Sequence, residues 1–406
     1  MKKTIKNKII NDPIYGIITL KKGIILELIN NPLFQRLRRI SQLGLSYLVY
    51  PGAHHTRFHH AIGAMHLMQN SINEIKNKGH IITKEEEESL LIAILLHDIG
   101  HGPFSHALEN SLVKVSHEKL SVIMMEELNY QFSGKLTLSI EIFKNLYSKR
   151  FLHQLVSSQL DMDRLDYLRR DSFYTGVTEG NIGTERIIKM FDVVNDNLVV
   201  EEKGIYSIEK FLIARRLMYW QVYLHKTVIS FEYTLIKILQ RARYLVQQNI
   251  KIYSSKSIIK FLNKDFTIDD IQENKNMIHE FGEIDDHDIY FCIKEWVKER
   301  DYILSSLSKR IILRKPLKII ISENKIEKQF VEKIKKETQK KLKINKEELE
   351  YLVFTHSVSN KTYTHNENKI NIITKDGVIK DIAESSDQFD VKTLTKIVNK
   401  HFICFP

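Results

Sequence analysis

No proline occurs between Pro103 and Pro316, and no glycine occurs between Gly204 and Gly282. Proline removes a backbone donor and glycine weakens helix interiors, so their absence permits long helices. Residues 208–248 also carry apolar side chains at spacings of three and four, as amphipathic helices do. We therefore predict a mainly α-helical protein. Further helices are predicted at 53–76, 84–96, 117–128 and 151–170.

The pattern changes near Pro316 and predicts a small α+β domain in the last part of the chain. Short β-branched or aromatic runs predict strands at 317–321, 352–356, 371–374 and 402–405. Helices are predicted there at 327–342 and 391–400. We therefore expect two domains, a helical body over residues 1–315 and a small α+β domain over residues 316–406.

The composition excludes several classes of protein. The longest apolar run, residues 90–96, has seven residues, whereas a membrane-spanning helix needs about 20. No apolar signal core follows the first residues, and two cysteines fit a reducing compartment, so we predict a soluble cytoplasmic protein without membrane contact. The 61 basic and 50 acidic residues give a net charge of +11, which favours nucleotide or nucleic-acid partners.

Histidine is concentrated in one part of the chain. Ten of the seventeen histidines lie between His54 and His117. At the centre of this cluster, His97 and Asp98 directly follow the apolar run. An imidazole nitrogen and a carboxylate oxygen can bind one cation, and this donor set suits Mn, Fe, Mg, Co or Zn. A buried histidine bonded to its neighbour is the structural alternative, and the surrounding cluster favours a metal site over it.

Two further segments carry residues that suit the same site. Arg57 and His60 are three residues apart on one face of a predicted helix, so an anion-binding guanidinium and a metal ligand can lie side by side. Downstream, Asp163, Tyr167 and Asp171 share a helix face at four-residue steps. An exposed helix with surface ion pairs is the alternative for this second segment, and the histidine cluster argues against it.

In this order, His60, the His97–Asp98 pair and Asp163 resemble the H…HD…D signature of HD-domain metal-dependent phosphohydrolases. Further motifs are similar to those of deoxynucleoside triphosphate triphosphohydrolases of the sterile-alpha-motif/HD-domain type and their bacterial relatives. These motifs are Asn-Asp-Pro-Ile-Tyr-Gly at 11–16, Phe-Gln-Arg-Leu-Arg at 34–38, Gln-Leu-Gly at 42–44, Tyr-Pro-Gly-Ala at 50–53 and residues 97–106. The resemblance implies an HD-type body whose N-terminal segment serves regulation and oligomerisation.

The resemblance implies cleavage of a dNTP to a deoxynucleoside and inorganic triphosphate, with a divalent metal ion as cofactor. The implied metal ligands are His60, His97, Asp98 and Asp163. The implied catalytic residues are His101, His106, His117 and Glu118. We favour His106 as the acid that protonates the leaving 5′ oxygen, oriented by His117 and Glu118; for His101, a role in supporting the ligands is the alternative.

The resemblance also implies the contacts to the substrate. They comprise Gln42, Leu43, Arg57, Arg164, Tyr167, Asp171, Arg215 and Tyr223. The three arginines would bind the triphosphate. Gln42 and Asp171 would bond the 3′-hydroxyl, while Leu43 and Tyr223 would exclude a 2′-hydroxyl. For Tyr223 by itself, a place in the helix core is the alternative.

Regulation is implied as well, by a homo-oligomer, tetramer or dimer, with an activating nucleotide between subunits. Lys8, Asn11, Gln35 and Arg38 match parts of that activator site. Asn30 stands where relatives that read guanine have an aspartate, which argues against guanine-specific activation. A basic surface patch formed by Arg36, Arg38 and Arg39 is the alternative for the arginines of this segment.

Two other functions remain open at the level of sequence. One is a different HD phosphohydrolase, acting on nucleoside monophosphates, cyclic dinucleotides or guanosine polyphosphates. No Gly-Tyr-Pro follows the HD segment, which argues against the cyclic-dinucleotide branch. The other is a nucleotide- or nucleic-acid-binding regulator without turnover, against which the complete set of ligand and phosphate positions argues.

Overall fold

The computed structural model describes residues 7–109, 111–274, 276–360, 363, 369–386 and 397–406. The helices of this part of the chain are α1 (Ile24–Asn30), α2 (Pro32–Gln35), α3 (Arg57–Asn77), α4 (Lys84–Leu96), α5 (His117–Gln131), α6 (Thr137–Phe143), α7 (Arg150–Val156), α8 (Met162–Thr175), α9 (Thr184–Lys189), α10 (Ile205–Met218), α11 (Lys226–Gln247), α12 (Lys256–Asn263), α13 (Ile268–Glu273), α14 (Asn276–Phe281), α15 (Asp286–Trp296), α16 (Tyr302–Ile312), α17 (Lys328–Leu342), α18 (Lys346–Leu352) and α19 (Ile382–Ser385). The predicted mainly α-helical fold is confirmed.

The strands form three small antiparallel or mixed sheets around the helices. They are β1 (Lys8–Asp12), β2 (Gly16–Leu20), β3 (Phe191–Val194), β4 (Asn197–Glu201), β5 (Lys318–Ser322), β6 (Phe354–Asn360), β7 (Asn371–Ile373), β8 (Ile379–Asp381) and β9 (Val398–Phe405). Their orders are β1-β2, β3-β4-β7-β8 and β5-β9-β6. All four predicted C-terminal strands are present, although β6 and β9 are longer than the predicted runs.

Helix α4 is largely buried in the body and packs against α3 and α6. A capping box starts it: the Thr83 hydroxyl accepts from the Glu86 backbone N–H at 3.1 Å, and the Glu86 carboxylate accepts from the Thr83 N–H at 2.8 Å. Its last seven residues are all buried, which places the following His97 in the interior. None of the described helices has the length and apolarity that crossing a membrane requires.

The single helix predicted at 151–170 is wrong, because the structure has two helices there, α7 and α8. The chain leaves the helical conformation at Ser157, and α8 restarts at the N-cap Asp161, whose carboxylate accepts from the Arg164 backbone N–H at 2.7 Å. This break gives α8 a direction of its own and puts Asp163 in its first turn.

Two hairpins in the body were not predicted. β1 and β2 pair antiparallel, as do β3 and β4, whose turn places Asn195 and Asp196 at positive φ. Asparagine and aspartate tolerate that conformation better than other non-glycine residues, so the Asn-Asp-Asn run was an available turn signal. The first turn carries Asp12, whose carboxylate accepts from the backbone N–H groups of Ile14 and Tyr15.

The C-terminal segment contacts the body directly. β4 pairs in parallel with β7, with Val199 opposite Asn371, so one sheet joins residues from both sides of the predicted division at 315. That division stays a prediction. The helix predicted at 391–400 lies mostly outside the described residues, and it is wrong for Val398 to Lys400, which begin β9.

Candidate functional site

Three helix ends bring the four predicted metal ligands together. His60 lies in the first turn of α3, His97 and Asp98 directly follow α4, and Asp163 lies in the first turn of α8. α3 packs against both α4 and α8. The buried packing of three helices therefore assembles residues that are up to about a hundred positions apart in sequence.

The facing atoms of these side chains have the spacing of ligands around one ion. His60 Nε2 lies 3.2 Å from His97 Nε2 and 3.1 Å from Asp163 Oδ1. Asp98 Oδ2 lies 3.6 Å from His60 Nε2, and Asp98 Oδ1 lies 3.5 Å from His97 Nε2. At metal–ligand distances of about 2.1 Å, ligands on one cation are about 3 to 4 Å apart. His60, His97 and Asp163 each offer one atom to a shared position and fit a divalent metal, whereas Asp98 approaches the two imidazoles with different oxygens.

The other ring nitrogens show which atoms are left for a cation. Nδ1 of His97 donates to the Ile94 carbonyl oxygen at 2.6 Å, and Nδ1 of His60 donates to Asp166 at 2.7 Å. Nε2 of both rings therefore faces the space between the candidate ligands. In metal sites, the second ring nitrogen of a ligating histidine is commonly held by such a hydrogen bond. Burial lowers the pKa of His60, yet hydrogen bonds with Asp163 and Asp166 raise it to about 10. The surroundings favour positive charge at this Nε2, which a divalent cation would supply.

A buried ion network behind His60 was missed by the sequence analysis. Arg170 donates from Nε to Asp166 Oδ2 at 2.8 Å and from Nη1 to Asp12 Oδ2 at 2.8 Å. Burial opposes ionisation of Asp166, but Arg170 and His60 lower its pKa to about 2. A Cβ on Gly63 would lie 2.1 Å from both Arg170 and Asp166, so glycine is required there. The available signal was the four-residue spacing of Asp166 and Arg170.

Arg57 lies beside the candidate metal centre and pairs with Asp98. Its Nε donates to the Ser105 hydroxyl at 2.8 Å, so the guanidinium is held from two sides. Although burial opposes it, Arg57 keeps the pKa of Asp98 well below its usual range. Burial and the Arg57 cation also hold the pKa of His101 well below its usual range. His101 is therefore neutral at physiological pH.

The surface-patch alternative is wrong for Arg36, which is fully buried. Its guanidinium donates to the carbonyl oxygens of Ile99 and His101 at 2.9 and 2.8 Å and also to those of Phe281 and Ile284. Four carbonyl acceptors bind both terminal nitrogens of this buried guanidinium without a carboxylate hydrogen bond, while its Nε has no partner within the described residues. Arg36 thus holds the turn after His97–Asp98 in place, while Arg38 and Arg39 are exposed.

The three predicted catalytic histidines form one cluster. The rings of His101 and His117 stack with centroids 4.0 Å apart, and the His106 centroid lies 4.8 Å from that of His101. Glu109 joins them, because it accepts from Nδ1 of His106 at 3.0 Å and from Nδ1 of His117 at 2.7 Å. These hydrogen bonds hold the pKa of Glu109 far below its usual range. The structure gives Glu109 the contacts that the sequence had suggested for Glu118.

One cavity of about 520 Å³ unites the candidate site. Every predicted catalytic and substrate-contact residue lines it, together with two of the predicted ligands: Gln42, Leu43, Arg57, Asp98, His101, His106, His117, Glu118, Asp163, Arg164, Tyr167, Asp171, Arg215 and Tyr223. Several buried atoms in its wall have no hydrogen-bond partner within the described residues, namely Gln42 Oε1, Arg164 Nε, and Nε and Nη1 of Arg215. The unpaired N–H donors of the two arginines suit an anionic ligand, whereas Gln42 Oε1 can accept from a hydroxyl.

The predicted sugar contacts are already connected to each other. Asp171 accepts from the Tyr223 hydroxyl at 2.7 Å and from Nε2 of the buried His55 at 2.7 Å. His55 was not predicted, although it lies within the histidine cluster. The helix predicted to carry both Arg215 and Tyr223 changes to a wide π-helical turn at Tyr219–Tyr223, and both side chains still reach the cavity. Such turns are frequent at functional sites.

The predicted activator residues lie at the N-terminal hairpin and the helices that follow it. Lys8 and Asn11 are exposed on β1, and Asn30 is exposed at the end of α1. Arg38 Nε donates to Gln35 Oε1 at 2.9 Å, and the Arg38 guanidinium stacks on the Phe58 ring at 3.5 Å. The structure thus brings Gln35 and Arg38 into contact and leaves the other three side chains at the surface.

Comparison with known proteins gives the following matches. Residues 57–171 match the HD domain family, and residues 182–250 match the HD associated region. YwfO, an uncharacterized protein of Bacillus subtilis, is 34% identical over 76% of this chain and 71% of its own length. Deoxynucleoside triphosphate triphosphohydrolase SAMHD1 of Homo sapiens is 31% identical over 54% of this chain and 42% of its own length. The chain thus spans less than half of the human protein.

A solved structure also resembles the fold. The crystal structure of a phosphohydrolase from Bacteroides thetaiotaomicron has a TM-score of 0.95 and 49% sequence identity, and the match covers 99% of this chain and 100% of that one. Helices, hairpins and the C-terminal sheets are therefore all part of a shared architecture.

Proposed function

The chain belongs to the HD-domain phosphohydrolase family, and from that membership and the geometry of its cavity we propose that it is a dNTP triphosphohydrolase. The products would be a deoxynucleoside and inorganic triphosphate. The observation that carries this proposal is the cavity itself, which combines a His/Asp metal group, three arginines and a tyrosine–aspartate wall. A bound divalent ion would supply electrostatic stabilisation of the α-phosphate and of the attacking nucleophile.

The three arginines of the cavity are suited to bind the triphosphate. Arg57 is held beside the metal group by Asp98 and Ser105, so its cation would lie next to an α-phosphate bound at that group. Arg164 and Arg215 keep buried N–H groups without partners among the described residues. A triphosphate would satisfy these donors, and guanidinium groups bind phosphate oxygens in pairs.

The His106–Glu109 pair is suited to deliver the proton. The carboxylate accepts from His106 Nδ1, which leaves Nε2 free to donate to the 5′ oxygen as the P–O bond breaks. His106 is 64% exposed at the side chain, so it can be reprotonated from solvent. His101 is neutral and stacked on His117, which suits it to a supporting role in the same step.

We expect Tyr223→Ala to weaken discrimination against ribonucleotides. The Tyr223 ring packs edge-to-face against the Tyr167 ring, and its hydroxyl donates to Asp171; the three residues form the wall at which the sugar is proposed to bind. Removing the ring opens space for a 2′-hydroxyl, so the ratio of kcat/KM for dATP over ATP should fall about tenfold or more. Tyr223→Phe is the matched control, because it keeps the ring. An unchanged ratio in Tyr223→Ala would remove this residue from the sugar wall.

Product analysis tests the proposed reaction. The purified protein would be incubated with Mn²⁺ or Mg²⁺ and each dNTP, singly and mixed, and the products separated by ion-exchange chromatography. We expect deoxynucleoside and intact triphosphate, and no product in the presence of a chelator. Release of pyrophosphate or of single phosphates would still indicate a metal-dependent hydrolase, but it would contradict cleavage to deoxynucleoside and triphosphate. Absence of turnover with every metal and mixture would favour a binding protein.

We further propose a homo-oligomer in which a nucleotide between subunits activates turnover in the cytoplasm. Support comes from exposed polar residues of the hairpin, Lys8 and Asn11, and from the Gln35–Arg38 pair nearby in sequence. In the product analysis, activity only in nucleotide mixtures would support the activator. Equal rates with single dNTPs would reject it and leave the proposed reaction intact.

A further inference from the structure

His55 is a buried residue behind the cavity wall, and none of the steps proposed above uses its side chain. It directly precedes Thr56, the N-cap of α3, so it is tied to the helix start that also carries Arg57. Its side chain has no exposed surface, and its ring stacks on that of Tyr174 in α8 with the centroids 4.5 Å apart. The imidazole is therefore held in one orientation between two helices of the site.

The Asp171 carboxylate links His55 to the cavity. His55 Nε2 donates to Asp171 Oδ1 at 2.7 Å, and the Tyr223 hydroxyl donates to Asp171 Oδ2 at 2.7 Å. Asp171 and Tyr223 both line the cavity. One donor thus holds each carboxylate oxygen, His55 from the protein interior and Tyr223 from the cavity wall. Each oxygen of a carboxylate can accept more than one hydrogen bond, so Asp171 keeps capacity for a hydroxyl group of a ligand.

The main chain of His55 holds Gln42, the other residue proposed to bond the 3′-hydroxyl. The His55 carbonyl oxygen accepts from the Gln42 backbone N–H at 3.0 Å, and Ser41 and Thr56 form an antiparallel bridge beside this hydrogen bond. Gln42 is buried, and its Oε1 has no hydrogen-bond partner within the described residues. His55 therefore contacts both groups proposed to bond one hydroxyl, Asp171 through its ring and Gln42 through its carbonyl oxygen.

We propose that His55 is a positioning residue that acts through Asp171 and gives the cavity its selectivity for a 3′-hydroxyl group. This proposal rests on the proposed function in one respect, that a deoxynucleotide occupies the cavity with its 3′-hydroxyl at Asp171. Two donors, one on each oxygen, fix the plane of the carboxylate. Without the His55 donor only Tyr223 holds it, so the carboxylate can turn about its Cβ–Cγ bond. The hydrogen bond from the ligand then weakens, because its strength depends on angle as well as distance.

The test compares two dATP analogues in which a methylene group replaces the 5′ oxygen, one with the 3′-hydroxyl and one without it. Calorimetry would give the Kd of both for the metal-loaded protein, His55→Phe and His55→Gln. His55→Phe keeps a ring against Tyr174 and removes the donor. We expect it to weaken the hydroxyl analogue about tenfold and the 3′-deoxy analogue less than about twofold. His55→Gln places an amide N–H near the position of Nε2 and should retain most of the preference.

His54→Phe is the matched control, because His54 is the neighbouring residue and is exposed, with its ring against that of Tyr47. Thermal unfolding of each variant would show whether the fold is retained. Equal losses for both analogues in His55→Phe, or no loss, would overturn the assignment. Product analysis separates the two proposals: triphosphate release with an unchanged preference in His55→Phe rejects only the role of His55. Hydroxyl-selective binding that depends on His55, without turnover, rejects only the proposed reaction.

Discussion

His97→Ala and Asp98→Ala should each remove the bound divalent metal and lower turnover at least about 1000-fold. Both residues follow α4 and are fixed by its burial, and both face Nε2 of His60 within 3.6 Å. Alanine leaves no donor atom in either place. The loss of several kcal/mol of electrostatic stabilisation at the α-phosphate corresponds to this rate factor.

Two measurements on the purified variants test this prediction: the metal content by atomic emission and the rate of triphosphate release. His80→Ala is the matched control, because His80 pairs with Asp192 and lies outside the cavity. We expect it to retain both metal and activity. A His97→Ala protein with its full metal content and full rate would show that the metal group has been assigned to the wrong residues.

For Asp166→Asn we expect metal affinity to fall 10- to 100-fold and the free energy of unfolding to fall by about 3 kcal/mol. Asp166 accepts from Nδ1 of the ligand His60 and pairs with the buried Arg170. Asparagine has one acceptor oxygen in place of two, and its N–H group would point at the N–H donors of His60 or Arg170. The ring of His60 then loses its fixed orientation, and Arg170 keeps only Asp12 as a charged partner.

Glu185→Gln provides the comparison for a surface ion pair. Glu185 pairs with Arg169 but is 68% exposed at the side chain, so its loss should cost less than about 1 kcal/mol and leave metal affinity unchanged. Metal titration and urea unfolding of both variants give the two quantities. If Asp166→Asn matched Glu185→Gln in both, the buried network would have no part in orienting His60.

Much of the site was predictable because its chemistry requires particular residue types at short spacings. The His97–Asp98 pair after an apolar run, the four-residue steps of Asp163, Tyr167 and Asp171, and the histidine cluster are local patterns. The structure places the His97–Asp98 pair, Asp163, Tyr167, Asp171 and several histidines of the cluster in or directly beside one cavity, while their individual roles stay predictions. The helical class was predictable for a similar reason, since amphipathic periodicity is carried by neighbouring residues.

The residues that support the site were not predictable, because their partners are distant in sequence. From sequence, Arg36 could be part of a basic surface patch. In the structure it is buried and donates to carbonyl oxygens of the turn after His97 and of the chain near Phe281. Glu109 takes the contacts expected of Glu118, because the loop before α5 folds back on His106. Side-chain burial and long-range hydrogen bonding decide these roles.

The sequence by itself determined the helical class, because neighbouring residues carry its periodicity, and short motifs together with the family resemblance predicted many of the residues that line the cavity. Only the tertiary structure decided which groups face one another. The crossing of α3, α4 and α8 brings His60 within hydrogen-bond distance of Asp166, and the pairing of β4 with β7 joins the C-terminal segment to the body. Both depend on contacts whose partners are far apart along the chain, which no local pattern records.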